Sequence, residues 1–359
     1  KIEQPDEGDP MRSWGRGKPV WFPVIGRNKK CITLNLRTPR GQELARALIQ
    51  QSDFLIENFR PGTLEKWHLG FEQLRAIHRG LIMVRVSGYG QTGPYASRAG
   101  YGSIGEAMGG LRHLTGEPGR VPVRCGISIG DTLAALHGTI GVLTALYHRK
   151  VNGGKGQVID VALTEAVLNV MESLVPEYSA FGEVREPAGS ALPGIAPSNA
   201  YKCKDGVVLI AGNGDSIFKR LMATMERHDL AQDPELADNA GRVRRVDEID
   251  AAIAQWTQDQ TVDHVLAQLA QAKVPAGRVY TARDIVNDPH FQARDMIVKQ
   301  TTRDGHEMDV PGIVPKLMGT PGRIRSSAPR LGDDTDAVLS ELGLSAAQIH
   351  TLRTQQVVS

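Results

Sequence analysis

The sequence is poor in cysteine, in aromatic side chains, in net charge and in long apolar runs. Its three cysteines, Cys31, Cys125 and Cys203, stand far apart in 359 residues. With no C-x-x-C pair and no adjacent histidines, they exclude a zinc knuckle and a disulfide framework, and no metal site is expected. They favour a reducing compartment, the cytoplasm. Lysine and arginine number 42 against 40 acidic residues, a net charge of +2. A nucleic-acid binder would carry a basic excess or a basic stripe, and neither is present. The most apolar stretch, Leu133 to Tyr147, contains His137 and two glycines and is too short to span a bilayer. It predicts a buried helix and no membrane partner. Lys1-Ile-Glu-Gln4 resembles no signal or transit peptide. No dinucleotide fingerprint or P-loop stands between a strand and a helix. The Gly212-Asn-Gly214 run follows a hairpin strand instead, so NAD and ATP chemistry fall in rank.

Glycine is what the chain has in excess, 39 of 359 residues against a typical level of about 7 %. Such a chain makes many tight turns and brings its backbone close to neighbours or ligands. The length suits two domains. In the first third, apolar strands at Cys31–Leu36, Phe54–Ile56 and Leu81–Val86 alternate with helical patterns that begin at Thr38-Pro39 and span Thr63–His78. This alternation predicts an α/β fold with a doubly wound parallel sheet. Asp131–Arg149 and Leu163–Tyr178 read as long helices around a short strand, Gln157–Val161. The expected division is a large domain over 1–185, a Pro/Gly-rich linker over 186–198, a small α+β domain over 199–310 and a return segment over 311–359. The small domain has hairpins at Asp205-Gly206 and Asp304-Gly305 and three helices between them. A last helix spans Ser345–Gln355.

Ligands of an open parallel sheet bind outside the carboxyl ends of its strands. Two such ends are unusual here: Asn58-Phe-Arg-Pro-Gly62 and Gly88-Tyr-Gly-Gln-Thr-Gly-Pro94. Each could be a tight turn and nothing more. Alternatively, their backbone N–H groups approach a ligand and Arg60 meets an anion. Arg27-Asn-Lys-Lys30 is either a solvated run or a site for a phosphate-rich cofactor such as coenzyme A. Asp131 opens an apolar helix. The residue type fits an N-cap, or equally a carboxylate nucleophile kept ionised by the helix dipole.

Taken in order, Lys1-Ile-Glu3, Gly8-Asp9 with Arg12, Arg27–Lys30, Glu57-Asn-Phe-Arg-Pro-Gly62, Gly88–Pro94, Gly130-Asp131, Gly153-Gly-Lys-Gly-Gln157 and Val274-Pro-Ala-Gly277 run almost end to end. The set resembles the class III coenzyme A-transferases of the CaiB/BaiF type. The resemblance implies that Asp131 attacks an acyl-CoA and passes through an aspartyl-CoA thioester. It also implies that Asn58, Phe59, Arg60 and Lys66 line the CoA groove with Leu34, Asn35 and Arg37 close by, and that Gly100 and Tyr101 lie nearer the acyl group. Arg98 is a candidate partner for a substrate anion. The implied substrates are an acyl-CoA and a small carboxylic acid, with a dicarboxylyl-CoA such as succinyl-CoA as donor. The implied assembly is an interlocked homodimer.

Family members carry a strand and helix ahead of the Lys-Ile-Glu stretch, so a transferase lacking them is expected. Gln4 stands where the formyl-CoA branch has an arginine. Ala188–Gly194 also lacks that branch's four-glycine run, so oxalate and formate are not the expected acids. A racemase of the same fold is an alternative, disfavoured because Tyr101 replaces the histidine base and a phenol has a pKa of about 10. A catalytically silent CoA-binding protein is the other.

Overall fold

The computed structural model describes residues 1–15, 17 and 19–359. The chain forms two compact units. The first comprises Lys1–Gly110, Ile127–Met171 and Val286–Ser359; the second comprises Leu111–Gly126 and Glu172–Ile285. Each is discontinuous in sequence, a division drawn on contacts that a linear reading of composition does not supply.

The first unit begins with β1 (Ile2–Glu3), parallel to β2 (Ile32–Thr33). The apolar run 31–36 is a strand only at its start. Beyond Thr33, the Leu34 N–H still bonds Glu3, but the Asn35 N–H turns to the carbonyl of Val357 near the C-terminus. After α1 (Pro39–Gln50), capped by the Thr38 hydroxyl at 3.1 Å from the Gly41 N–H, come β3 (Phe54–Glu57), α2 (Thr63–Lys66), α3 (Phe71–Ile77) and β4 (Ile82–Ser87). The single helix expected over 63–78 is broken. His68 takes a left-handed φ of 56°, and the Gly70 N–H is held by the Gln73 side chain at 2.9 Å.

Next are α4 (Gly102–Met108), the 23-residue α5 (Ile129–Val151), β5 (Val158–Ala162) and α6 (Leu163–Leu168). Strands β3, β4 and β5 form one parallel sheet in that order. The expected α/β fold with a parallel sheet is therefore observed, but β1 and β2 form a separate pair. One apolar core joins Leu34, Leu44, Leu64, Leu74, Leu81 and Met83 to Leu339, Ile349 and Val357 of the C-terminal segment. A second, Val84, Ala134, Val142, Val161, Leu163 and Ala166, seats α5 and α6 on the sheet.

The second unit starts its long segment with α7 (Leu174–Phe181). The helix expected over 163–178 is thus two helices, separated where Glu172 adopts φ 51°. Strands β6 (Ser198–Cys203), β7 (Gly206–Ala211) and β8 (Ala276–Arg278) make an antiparallel sheet. The hairpin turns at Lys204-Asp205, one residue ahead of the expected Asp205-Gly206, because Gly206 already pairs with Cys203. Helices α8 (Asp215–Thr224), α9 (Val246–Gln258) and α10 (Val262–Gln271) cover it through Phe218, Leu221, Ile249, Ile253, Val265 and Leu269. Arg242 is fully buried yet has a partner for each guanidinium nitrogen: the carbonyls of Ala196, Leu236 and Asn213, and the Asp215 carboxylate at 2.8 Å. The chain returns to the first unit for the antiparallel pair β9 (Ile297–Thr301) and β10 (Glu307–Pro311). Helices α11 (Thr335–Glu341) and α12 (Ala346–Thr354) complete it.

Candidate active site

Strand β3 ends at Glu57, whose register partner on β4 is Arg85. Both are buried, 6 % and 7 % exposed, in strands that would otherwise be apolar on both faces. The Arg85 Nε–H donates to Glu57 Oε1 at 2.7 Å. Its two terminal nitrogens donate to Glu65 on α2, at 2.7 and 3.1 Å. The other Glu57 oxygen accepts the Phe59 N–H at 2.8 Å. Gly62, at φ +84°, then turns the chain into α2. Asn58, Phe59, Arg60 and Lys66 are all exposed, and the Phe59 ring meets Trp67 edge-on at 5.2 Å. Burial raises the Glu57 carboxyl above its usual range, against the pull of Arg85 and the Phe59 N–H. The Arg85 hydrogen bonds hold the Glu65 carboxyl below its usual range.

The loop after β4 is held differently. Gly88 and Gly100 pass so closely that a Cβ at 88 would lie 2.6 Å from the Gly100 Cα. Asp160, on neighbouring β5, accepts the Gln91 N–H at 2.9 Å, and the Thr164 hydroxyl donates to the Gly88 carbonyl at 3.2 Å. A cavity of about 360 Å³ opens beside this loop, lined by Tyr89, Pro94, Tyr95, Met108, Glu165 and Leu168 among others. The Arg98 guanidinium lies over the Tyr95 ring at 3.7 Å. Tyr101 is 70 % exposed and stands at the N-cap of α4.

Asp131 is in the first turn of α5, three residues after the N-cap, Ser128. The N-cap reading of Asp131 is therefore incorrect, because the helix starts at Ile129, two residues before Asp131. The Asp131 side chain is exposed and rests on Gly102: a Cβ there would come within 2.1 Å of Oδ2. Gly130 repeats the close approach, its Cβ position 3.1 Å from the Gly102 carbonyl. The starts of α4 and α5 thus pack through glycines, and the carboxylate sits at the positive end of a long helix. Helix α5 is less buried than its composition predicts. Gly130, Ala134, Gly138, Val142 and Ala145 face the unit's interior, whereas Leu136, Ile140, Leu143, Tyr147 and Val151 are 55–72 % exposed. With the residues flanking the apolar stretch included, it is long and apolar enough to cross a membrane, although only on length and composition.

Asn58, Phe59 and Arg60 lie in the loop after β3 and Lys66 at the end of α2, which that loop leads into, while Gly100 and Tyr101 precede Gly102, on which Asp131 rests. Leu34 is 1 % exposed, its side chain in the core and its N–H bonded to Glu3, so the structure does not present it to a ligand as expected. Asn35 accepts the Arg37 N–H at 3.1 Å, and Arg37 is exposed. The basic run 27–30 is engaged elsewhere. Arg27 donates to Val24 and Pro311, Lys29 to the Ile25 carbonyl, and Lys30 pairs with Glu341 at 2.7 Å. Asn28 ties down residues 323–326. Sequence reasoning missed Arg85, Glu65 and Asp160. The available signal was a lone arginine inside the apolar strand Ile-Met-Val-Arg-Val.

Comparison with known proteins gives this arrangement its context. The CoA-transferase family III model matches residues 1–335. A succinyl-CoA–D-citramalate CoA-transferase of Chloroflexus aurantiacus is 47 % identical over 364 aligned residues, covering 100 % of this chain and 90 % of that protein. The alpha subunit of a succinyl-CoA–L-malate CoA-transferase of the same organism is 40 % identical, with 100 % and 85 % covered. A crystal structure of a CaiB/BaiF family protein from Brucella suis superposes with a TM-score of 0.84 at 34 % identity, covering 95 % of this chain and 90 % of that one. The chain belongs to CoA-transferase family III and is a CoA-transferase.

Proposed function

We propose that this enzyme moves CoA from succinyl-CoA to a second short dicarboxylic acid of the malate or citramalate kind, with Asp131 as the nucleophile. The observation that carries the reading is the Asp131 carboxylate, exposed on the first turn of α5 and seated on Gly102. The choice of acids follows the names of the relatives, which pair succinyl-CoA with citramalate and malate.

In the first half-reaction an Asp131 oxygen attacks the thioester carbonyl. The C–S bond breaks, giving a succinyl-aspartyl anhydride and CoA thiolate. The thiolate then attacks the aspartyl carbonyl and releases succinate, leaving an aspartyl-CoA thioester. The acceptor carboxylate repeats the sequence in reverse: it displaces thiolate to form a new anhydride, and the thiolate attacks the acceptor's acyl carbon and frees Asp131. One thioester replaces another, so no external energy source is needed. Backbone N–H groups of the glycine loops suit the developing oxyanions, and water must be kept from both intermediates. The loop 58–62 and Lys66 would hold the CoA moiety, as Asn35 and Arg37 would from beside it. The cysteines, free in the structure, suit a reducing compartment such as the cytoplasm.

A second copy of the chain is the proposed cover for the exposed stripe of α5. The stripe shares a helix with Asp131, so covering it would also draw a wall toward the nucleophile. Both the alpha and the beta subunit of the malate relative match this chain at 40 % identity, which supports pairing between chains of this kind. Leu143→Glu would place a charge in the stripe and shift the sedimentation coefficient from dimer to monomer; an unchanged dimer would remove the stripe from the interface.

The test of the mechanism is trapping. The enzyme is incubated with succinyl-CoA, quenched with hydroxylamine or borohydride, and the modified residue mapped by mass. A label on Asp131, absent from Asp131→Ala, is expected. A label on any other residue overturns the mechanism.

A further inference from the structure

The buried Arg85, with its two glutamates, calls for a reason beyond stability. Replacing a buried ion pair by apolar residues of similar volume is often neutral or stabilising, and the surrounding strand is already Ile82, Met83, Val84 and Val86. What the guanidinium does is geometric. It grips Glu57, the last residue before the loop 58–62, by one edge. By its two terminal nitrogens it grips Glu65, just beyond Gly62 on the helix that carries Lys66. Glu57 passes the constraint on, since its second oxygen holds the Phe59 N–H. Both ends of the exposed segment that bears Asn58, Phe59, Arg60 and Lys66 are therefore fixed from beneath by a single side chain.

We infer that Arg85 is a positioning residue for coenzyme A: through Glu57 and Glu65 it sets the 58–66 segment in its binding geometry before the ligand arrives. The inference rests on the reading of Asn58, Phe59, Arg60 and Lys66 as CoA contacts. It deepens that reading by naming the residue that does the positioning without touching the ligand. A segment ordered in advance costs less to immobilise on binding, so the role is expressed in affinity for CoA rather than in the chemistry at Asp131. Lysine cannot substitute, because a single ammonium group does not reproduce the fork that reaches two carboxylates.

The experiment is calorimetric titration of free CoA, with kcat measured at saturating acyl-CoA, for wild type, Arg85→Met, Arg85→Lys, Glu65→Gln and Arg60→Ala. Arg85→Met is expected to raise the Kd for CoA by about ten- to a hundredfold and to lower kcat far less. Glu65→Gln, which leaves the Glu57 pair intact and removes a half-exposed charge, is expected to raise the Kd about fivefold. Arg85→Lys should not restore wild-type affinity. If Arg85→Met fails to fold, Glu65→Gln carries the test alone. If the folded Arg85 and Glu65 variants bind CoA like wild type while Arg60→Ala binds weakly, the positioning role is overturned and the loop reading stands. If Arg60→Ala also binds like wild type, the loop reading itself fails. A fall in melting temperature with unchanged Kd assigns Arg85 to structure alone and likewise overturns the inference.

Discussion

Two strand-end loops lie side by side in the first unit and are held by opposite means. The loop after β3 is fixed by charge: Arg85 clamps Glu57 and Glu65 from below. The loop after β4 is fixed by the absence of side chains, with Gly88 and Gly100 in backbone contact and Asp160 and Thr164 adding hydrogen bonds from outside it. A clamp of charges can be weakened in steps and responds to pH. A contact that depends on missing Cβ atoms tolerates no addition. In the proposed function the same distinction separates binding from chemistry, because the clamped segment carries the proposed CoA contacts and the glycine contact leads to Gly102 and the proposed nucleophile, Asp131.

The largest effect expected from breaking this division is at Gly102. In Gly102→Ala the new methyl meets the Asp131 carboxylate, the end of an exposed side chain, so the side chain rather than the backbone gives way and the proposed nucleophile is displaced. Since a misplacement of about 1 Å can cost about a hundredfold in rate, kcat should fall by that order with little change in melting temperature. Steady-state kinetics beside a thermal melt checks this, and near-wild-type kcat would show that the seat on Gly102 is dispensable.

Gly88→Ala makes the converse case. Its methyl meets backbone at Gly100 rather than a side-chain tip, so the main chain itself must shift, and the overpacking should cost about 1–3 kcal/mol, read from urea unfolding. Removing the Asp160 carboxylate with Asp160→Ala leaves the Gln91 N–H without its acceptor, a loss of about 1 kcal/mol in the same assay.

The smallest effect is on pH dependence. Glu65, held below its usual 4.5 by Arg85, stabilises the fold above that value and loses its contribution as pH falls through the lower folded value. Glu57, raised above 4.5 by burial, has the opposite sign and loses stability as pH rises. The melting temperature of Glu65→Gln should therefore fall less steeply than that of wild type below about pH 4.5. Parallel curves would show that the half-exposed pair is screened by solvent.

Much of this was legible in the sequence, and what was not has identifiable causes. Strand β4 announced itself because a buried parallel strand is a near-continuous apolar run, while β3 and β5 were short apolar stretches, β3 half-exposed and β5 interrupted by Asp160. The hairpins did so through Asp205-Gly206 and Asp304-Gly305. The breaks at His68 and Glu172 were hidden, since both residues are left-handed without being glycine and periodicity continues across them. The separation of β2 from the sheet was also hidden. Just beyond β2 the chain turns to a hydrogen bond with Val357, more than 300 residues away, where a continued strand was expected. At the site, glycine loops and the carboxylate were readable as residue types. The clamp was not, because the link between Arg85 and Glu65 becomes visible only when β3 and β4 are placed in register.

The inward face of α5 has a consequence for how this enzyme can vary. Gly130, Ala134, Gly138 and Ala145 are already as small as side chains come, and a Cβ at neighbouring Gly141 would sit 2.7 Å from Ile159. A methyl added at Gly141 meets Ile159 on the sheet and one at Gly130 meets the Gly102 carbonyl at 3.1 Å, so either presses α5 off its seat and carries Asp131 with it. At Gly138 the nearest atom, on Val84, lies at 3.4 Å, an ordinary contact. In a saturation library scored for CoA transfer, Gly130 and Gly141 should act as a one-way gate closed to larger residues, with Gly138 open to alanine. The stripe on the opposite face, made of Leu136, Ile140 and Leu143, should trade freely among apolar residues.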